Sequence, residues 1–355
     1  MLYATKVGYM ELIDFELPYI SANTEGIGGT IKDTPEDFIV EEIPVYEPEG
    51  EGEHLFINLT KTGITTRDVQ KSIARLFNAP RQDVNYAGIK DKHAVATQYF
   101  SVWLREGQDP NLAKKLEEEL PVTINKVAFH SRKIKSGHLA GNGFTIRIRN
   151  LDKPVSQAAE RAGEIAKLLR ISGVPNFYGD QRFGIEGDNA RRGLQIITGE
   201  LREKSKWLRR FLMSSYQSYL FNYYLHRRTE QGLYGRILTG DVAKKHETGG
   251  IFIVEDAAQD QERLENQEIS YTGPVYGKKM TPAQDEAGQL EQQILEEQNI
   301  DLQTLRNARL TGTRRQGILI PRIRVEEEAE SIRLHFTLPK GAFATIVVRE
   351  FTKNF

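Results

Sequence analysis

Hydrophobic and polar positions along this chain follow two periods in alternation, one of two residues and one of three to four, which argues against an all-helical or all-strand fold. Phe38-Ile39-Val40 begins an extended run, and His54-Leu-Phe-Ile-Asn-Leu-Thr60 alternates as a half-buried strand does. Thr65-x-x-Asp68 is a capping box, and Val69, Ile73, Leu76 and Phe77 then share one helical face, so a helix is predicted here. Val84–Ala87 reads as a short extended piece broken by Gly88. Ala94–Leu104 reads as a long strand with Val95, Thr97, Tyr99, Ser101 and Trp103 on one side. Gly88-Ile-Lys-Asp-Lys-His93 is therefore predicted to be the turn that joins two strands. In Phe144-Thr-Ile-Arg-Ile-Arg149 the alternation buries one face and offers Arg147 and Arg149 on the other.

The helical pattern from Val155 to Ile171 stops at Gly173, with Pro175 just beyond, and this stop signal marks a domain boundary. Residues 174–315 then change character. Long polar helices are predicted over Leu201–Arg228 and Pro282–Gln298, the second acidic through Asp285, Glu286, Glu291, Glu296 and Glu297. The last forty residues return to strand patterns: Ile332, Leu334, Phe336 and Leu338 alternate, and Ala344-Thr-Ile-Val-Val348 reads as a further strand. A helical block between strand-rich flanks implies an inserted domain, residues 174–315, within a first domain made of 1–173 and 316–355.

Composition narrows the class. The 355 residues suit two or three domains, and the absence of Cys excludes disulfides, zinc–thiolate sites and Cys nucleophiles. No run is apolar enough to span a membrane, and the first twenty residues carry scattered charges rather than an export signal, so a cytoplasmic protein is expected. Net charge is -1, yet the charges are segregated. Nine acids and no Lys or Arg lie between Asp33 and Thr60; six Lys and Arg and no acid lie in 121–150, and six Arg and no acid in 306–324. Arg209 and Arg210 add to these. A near-neutral protein with such basic blocks can bind a polyanion through its local field, so phosphate contacts are expected from 121–150 and 306–324.

Phosphate-binding glycine loops, dinucleotide fingerprints and nucleophile elbows are all missing from the sequence, and the seven His form no ligand-spaced pair, so neither nucleotide cofactor nor metal is expected. Chemistry must run on Asp, Lys, Arg, Tyr and other aromatics. These converge at Asp91, a carboxylate between Lys90 and Lys92, beside His93 and on a turn, where it would stay ionised and serve as nucleophile or base. Asn142-Gly-Phe144 follows a glycine-rich stretch in the acid-free block. It offers backbone that a polyanion can approach, an amide for a base edge and a stacking face.

Several of these stretches together resemble the signature blocks of the TruD family of tRNA pseudouridine synthases. The blocks are Gly88-Ile-Lys-Asp-Lys-His-Ala-Val95, Gly141-Asn-Gly-Phe144, Gly173-Val-Pro-Asn-Phe-Tyr-Gly-Asp-Gln-Arg-Phe-Gly184 and Leu338-Pro-Lys-Gly-Ala-Phe-Ala-Thr345 with Val348-Arg-Glu350. Pro35-Glu-Asp-Phe38 and Gly50-Glu-Gly-Glu-His54 resemble the N-terminal block. They run in family order from about residue 32 to the C-terminus. Ala342 stands where Ser is frequent, and Phe177-Tyr178 where Tyr-Phe is, neither at a reacting group.

The resemblance implies an α+β fold: a pseudouridine-synthase catalytic domain with a mixed, largely antiparallel sheet, interrupted by an inserted α/β TRUD domain. It implies cofactor-free isomerisation of uridine to pseudouridine, with the uridine at position thirteen of certain tRNAs as the familiar target. By the same resemblance Asp91 is the catalytic residue, Phe38, Asn142 and Phe343 contact substrate, and Phe144 is an active-site aromatic. Arg349 suits a partner for the Asp91 carboxylate. Whether Asp91 attacks C1′ or C6, or removes a ribose proton, stays open, as does the oligomeric state. The rival reading is a non-catalytic RNA-binding or RNA-folding protein on the same fold, which would need the basic blocks but not Asp91.

Overall fold

The computed structural model describes residues 12–104, 108–184 and 187–354. Most of the N-terminal stretch read for export signals thus lies outside the described residues. The chain divides into two compact units, one of Asn23–Arg170 with Pro321–Phe355, the other of Met1–Ala22 with Ile171–Ile320. Against the sequence-based bounds, 171–320 replaces 174–315, and the stretch ending at Ala22 joins the second unit. The reason for the latter is visible in its contacts: Phe15 packs edge-on against Tyr223 at 5.2 Å, and the Tyr219 hydroxyl donates to the Ile13 carbonyl at 2.8 Å.

In the first unit the elements are β1 (Gly28–Thr30), β2 (Phe38–Pro44), β3 (His54–Lys61), α1 (Thr66–Leu76), β4 (Val84–Tyr86), β5 (Val95–Trp103), α2 (Leu116–Glu119), β6 (Val122–His130), β7 (Leu139–Leu151) and α3 (Val155–Ser172). Its sheet runs β14-β15-β7-β2-β5-β3-β6, where β14 is Arg324–Glu327 and β15 is Ile332–Pro339; β1 pairs with β7, and β4 with β5. Every pairing is antiparallel except β2 with β5. The sheet is thus mixed and largely antiparallel, and the fold is α+β.

Thr65 caps α1 as expected, its side chain accepting from the Asp68 N–H, but the Asp68 carboxylate takes the Thr65 hydroxyl rather than its backbone N–H, so the reciprocal half of the box is not made; α1 lays Val69, Ile73 and the following Phe77 on the sheet. They meet Leu55, Ile57 and Leu59 of β3 and Phe100 and Val102 of β5 in a closed core. The other face of β5 is covered as well, since Tyr99 and Ser101 are buried there.

The expected strand at Ala344–Val348 is instead the start of a helix, α9 (Ala344–Thr352). All of Ile346–Thr352 is buried, so packing on every side overrides the extended preference of β-branched residues. The last strand before it, β15, pairs with β7 in a register that sets Leu338 against Asn142 and Pro339 against Gly141. Gly141 is required there: a Cβ would lie 2.4 Å from the Leu338 carbonyl oxygen.

The second unit holds β8 (Val174–Pro175), α4 (Asp188–Thr198), α5 (Lys206–Glu230), β9 (Val242–Lys245), β10 (Ile251–Ile253), α6 (Ala257–Glu265), β11 (Ile269–Val275), α7 (Asp285–Glu297), α8 (Leu302–Asn307), β12 (Thr313–Gln316) and β13 (Ile318–Leu319). Its sheet β10-β9-β11-β12 is antiparallel throughout. The long helix α5 is not the polar helix expected. Leu212, Met213, Tyr216, Leu220, Phe221, Tyr224 and Leu225 are buried, so α5 is the core of its unit. Four of its apparent polar positions are tyrosines, and their rings pack as apolar surface. β8 and β13 pair antiparallel, Val174 opposite Leu319, and this bridge brings the two ends of the 171–320 segment together.

Candidate active site

Asp91 lies in the turn between β4 and β5, half-buried, and the turn is pinned from below. The Lys90 N–H donates to Thr66 Oγ1 at 3.0 Å, the Thr66 hydroxyl donates to Gln98 Oε1 at 2.8 Å, and Gln98 Nε2 donates to the Gly88 carbonyl at 3.2 Å. Lys61, the last residue of β3 and fully buried, donates from Nζ to the carbonyl oxygens of Asp91 at 2.8 Å and Ile64 at 2.9 Å. Burial brings its pKa down to about 8, against the raising influence of Asp91 and with a smaller lowering one from Lys90. Lys61 thus ties the loop after β3 to the backbone of the candidate catalytic residue.

The carboxylate itself is gripped at both oxygens. Oδ2 accepts from Lys32 Nζ at 2.7 Å, and Oδ1 accepts the His93 backbone N–H at 3.0 Å. Burial pushes the carboxyl pKa up, but the Lys32 hydrogen bond, the His93 N–H and the Lys32 charge outweigh it, and the net shift is downward. Asp91 is ionised at neutral pH for a reason different from the one expected. Lys92 is exposed, and Lys90 turns into the protein, where Nζ donates to Glu42 Oε2 at 2.9 Å and to Asn142 Oδ1 at 2.8 Å. Among the described residues the cation paired with Asp91 is Lys32. Arg349, considered for that place, is buried within α9.

Glu42 and Asn142 face each other across the β2–β7 ladder, so a single ammonium can bridge both. An ammonium only donates, and this fixes the Asn142 amide with its oxygen toward Lys90 and its NH2 group turned away. Among the described residues no acceptor lies within hydrogen-bond reach of that NH2 group. Phe38 is buried, with Lys32 Nζ 4.4 Å from its ring centroid, and packs edge-on against Phe144 at 6.1 Å; Phe144 in turn stacks on Phe336 at 5.5 Å. Phe343 is half-buried at the N-cap of α9. Asp91, Asn142, Phe38 and Phe144 are therefore one connected cluster, joined through Lys90 and Lys32. From the sequence Lys90 reads as a flanking cation of Asp91 rather than as the link between Glu42 and Asn142, and Lys32 does not read as a partner. Lys32 lies 59 residues from Asp91, and only its place six residues before Phe38, at the edge of the acidic segment, sets it apart.

The basic blocks divide into paired and unpaired residues. Arg147 and Arg149, expected on an open face, are held by Asp37, whose side chain is fully buried, and Arg147 also by Glu328 at 2.6 Å. Lys126 pairs with Glu47, Arg314 is buried on Glu291, and Arg315 lies 3.9 Å from the centroid of the Tyr178 ring. Arg132, Lys133 and Lys135 of the first block and Arg306, Arg309 and Arg322 of the second remain exposed.

Comparison with known proteins shows the family of the chain. The family model for tRNA pseudouridine synthase D (TruD) matches residues 14–208 and 197–351. The chain belongs to the TruD family. A tRNA pseudouridine synthase D of Thermus thermophilus is 42% identical over 337 residues, covering 95% of this chain and 92% of its own. That of Anaeromyxobacter dehalogenans strain 2CP-1 is 39% identical over 347 residues, covering 96% and 97%. Among solved structures, the putative TruD protein of Methanosarcina mazei superposes with a TM-score of 0.75 at 25% identity, covering 95% of this chain and 96% of that one. Among the described residues no helix of this TruD-family chain is long and apolar enough to cross a membrane.

Proposed function

We propose that this TruD-family isomerase converts a uridine of tRNA to pseudouridine with Asp91 as the reacting carboxylate, and that the uridine is the one at position thirteen. The observation that carries the reading is the state of Asp91: ionised, gripped by Lys32 and a backbone N–H, and still partly open, with 30% of its side chain exposed. The N1–C1′ bond must break, the base must turn while bound, and C5 must bond C1′ and lose its proton. A fixed carboxylate serves as nucleophile on the nucleotide or as base for a ribose proton.

A uridine inside a structured RNA must leave its stack, which costs a few kcal/mol. Phe38 or Phe343 against the uracil face would offset that cost, with Phe144 behind. The Asn142 NH2 group, held outward by Lys90, suits a uracil carbonyl, whereas an amide turned the other way would not. The exposed Arg132, Lys133 and Lys135, and Arg306, Arg309 and Arg322, suit phosphates, and their work on tRNA fits a cytoplasmic setting. Tritium release from C5-labelled uridine in an unmodified tRNA transcript tests the reading. Release by the wild type and none by Asp91→Asn supports it, while tight binding with no release by the wild type would favour a non-catalytic RNA-binding protein. Mapping the product on the transcript tests the position.

A further inference from the structure

We propose that the second unit carries its own nucleotide subsite, a groove of about 740 Å³ in which an unpaired base of the RNA substrate stacks against Trp207 while Arg210 and Arg309 hold its phosphates. This rests on RNA being the substrate and adds a contact that the chemistry at Asp91 does not call for.

Trp207 lies in the first turn of α5 and is 58% exposed, a large aromatic surface left in water. Its ring stacks on Phe211 one turn later, with centroids 5.5 Å apart and planes 8° from parallel. Behind Phe211 sits Arg182, its guanidinium 5.2 Å from the ring centroid. Ser214 Oγ accepts from Arg182 at 2.6 Å and Ser218 Oγ at 3.2 Å, so the guanidinium is fixed. Arg182 belongs to the Gly173–Gly184 block, which the site at Asp91 leaves without a task. Arg182 and Trp207 thus both pack on the Phe211 ring, which helps to hold the indole in place.

The segment from Arg309 to Thr313 lines the groove beside these rings, and among the described residues no Asp or Glu lines it. Arg210 and Arg309 are both exposed, and neither has an ion-pair partner among the described residues. Arg309 holds a left-handed backbone, φ 59°, a conformation unusual for a side-chain-bearing residue, in the turn that brings it to the groove. The volume lies in the range of small-ligand pockets, roughly 300–1,000 Å³. An aromatic platform flanked by arginines that have neither ion pair nor neighbouring carboxylate among the described residues fits a nucleotide of single-stranded RNA, because every base offers a π-face and every phosphate a negative charge. A protein segment would have little use for two bare guanidinium groups around an indole unless it were acidic, and the test separates that case.

The chain has two tryptophans, so Trp103→Phe leaves Trp207 as the sole indole reporter. Titrating that variant with an unmodified tRNA transcript should quench Trp207 emission, and a single-stranded RNA oligomer should do the same at higher concentration. Trp207→Leu should weaken tRNA binding about tenfold, the loss of one base stack, while Trp207→Phe should retain most of it. Arg210→Gln should reduce the slope of log affinity against log salt by about 0.7, which a structural role alone would not do. Turnover at saturating tRNA should be unchanged in all three, the loss appearing in KM. Trp207 emission unmoved by bound tRNA, with Trp207→Leu within twofold of wild-type affinity, would overturn the subsite, as would quenching by an acidic peptide and not by RNA. A protein that quenches with tRNA yet forms no pseudouridine would instead defeat the functional reading and leave the subsite standing.

Discussion

Lys32 and Asp91 are 59 residues apart in sequence and 2.7 Å apart in space, and the same ammonium lies 4.4 Å from the Phe38 ring centroid. One cation therefore bears on both the charge of the carboxylate proposed to react and the place of the aromatic proposed to meet the base.

Asp91→Asn keeps the shape of the turn and removes the negative charge. Tritium release should fall by about a hundred- to ten-thousand-fold, with tRNA affinity within a few-fold of wild type. Residual activity within about tenfold of wild type would show that another group does the chemistry.

Lys32→Met removes the cation that offsets burial at Asp91. The carboxyl pKa is lowered by Lys32 and raised by burial, so without Lys32 it rises. The acid limb of the pH–rate profile should therefore move to higher pH. A profile of unchanged shape, however low its maximum, would assign Lys32 a different role.

The Lys90–Glu42 pair is almost wholly buried, with side chains 5% and 2% exposed. Lys90→Met leaves the Glu42 charge without a partner and should cost about 3–5 kcal/mol of stability, read as a drop in denaturation midpoint. The double variant Lys90→Met/Glu42→Leu should regain much of that stability. It should not regain full activity, because the Asn142 amide has lost the donor that fixes its orientation.

Glu328 is held by Arg147 and Ser331, with Arg333 beside it, and its pKa falls from the ordinary 4.5 to about 2, chiefly through the Arg147 hydrogen bond. A carboxyl lowered on folding contributes stability above its unfolded pKa and loses it as pH falls through the folded one. Thermal stability should decline between about pH 4.5 and pH 2, and Glu328→Gln should flatten that part of the curve.

Local signals were legible wherever they were complete within a few residues. The N-cap at Thr65, the Gly173 stop and the turn around Asp91 are each set by nearby residues, and each appears where the pattern placed it. The misreadings share one cause, namely that burial is decided by distant chain. Ala344–Val348 carries a strand-forming composition but is packed on all sides as a helix, and α5 shows polar letters whose tyrosine rings are core. Arg147 and Arg149 alternate outward as expected, yet Asp37, more than a hundred residues away in sequence, neutralises them. The grip of Lys32 on Asp91 is of the same kind. No periodicity reports which cation will meet which anion.

The pairing of Leu338 with Asn142 spans almost two hundred residues, and the whole 171–320 unit lies between them in the chain. During synthesis β7 emerges long before β15, so the strand that lies beside Asn142 must wait while the intervening unit is made. Loop closure of this length is slow unless the intervening chain has already folded and brought its ends together, and the β8–β13 bridge does that. The second unit is in this sense an assembly step for the first. A ribosome-bound chain stalled before Ile332 should present Asp91 on an unfinished sheet with an open edge at β7, inactive and prone to aggregate, until the last two dozen residues arrive.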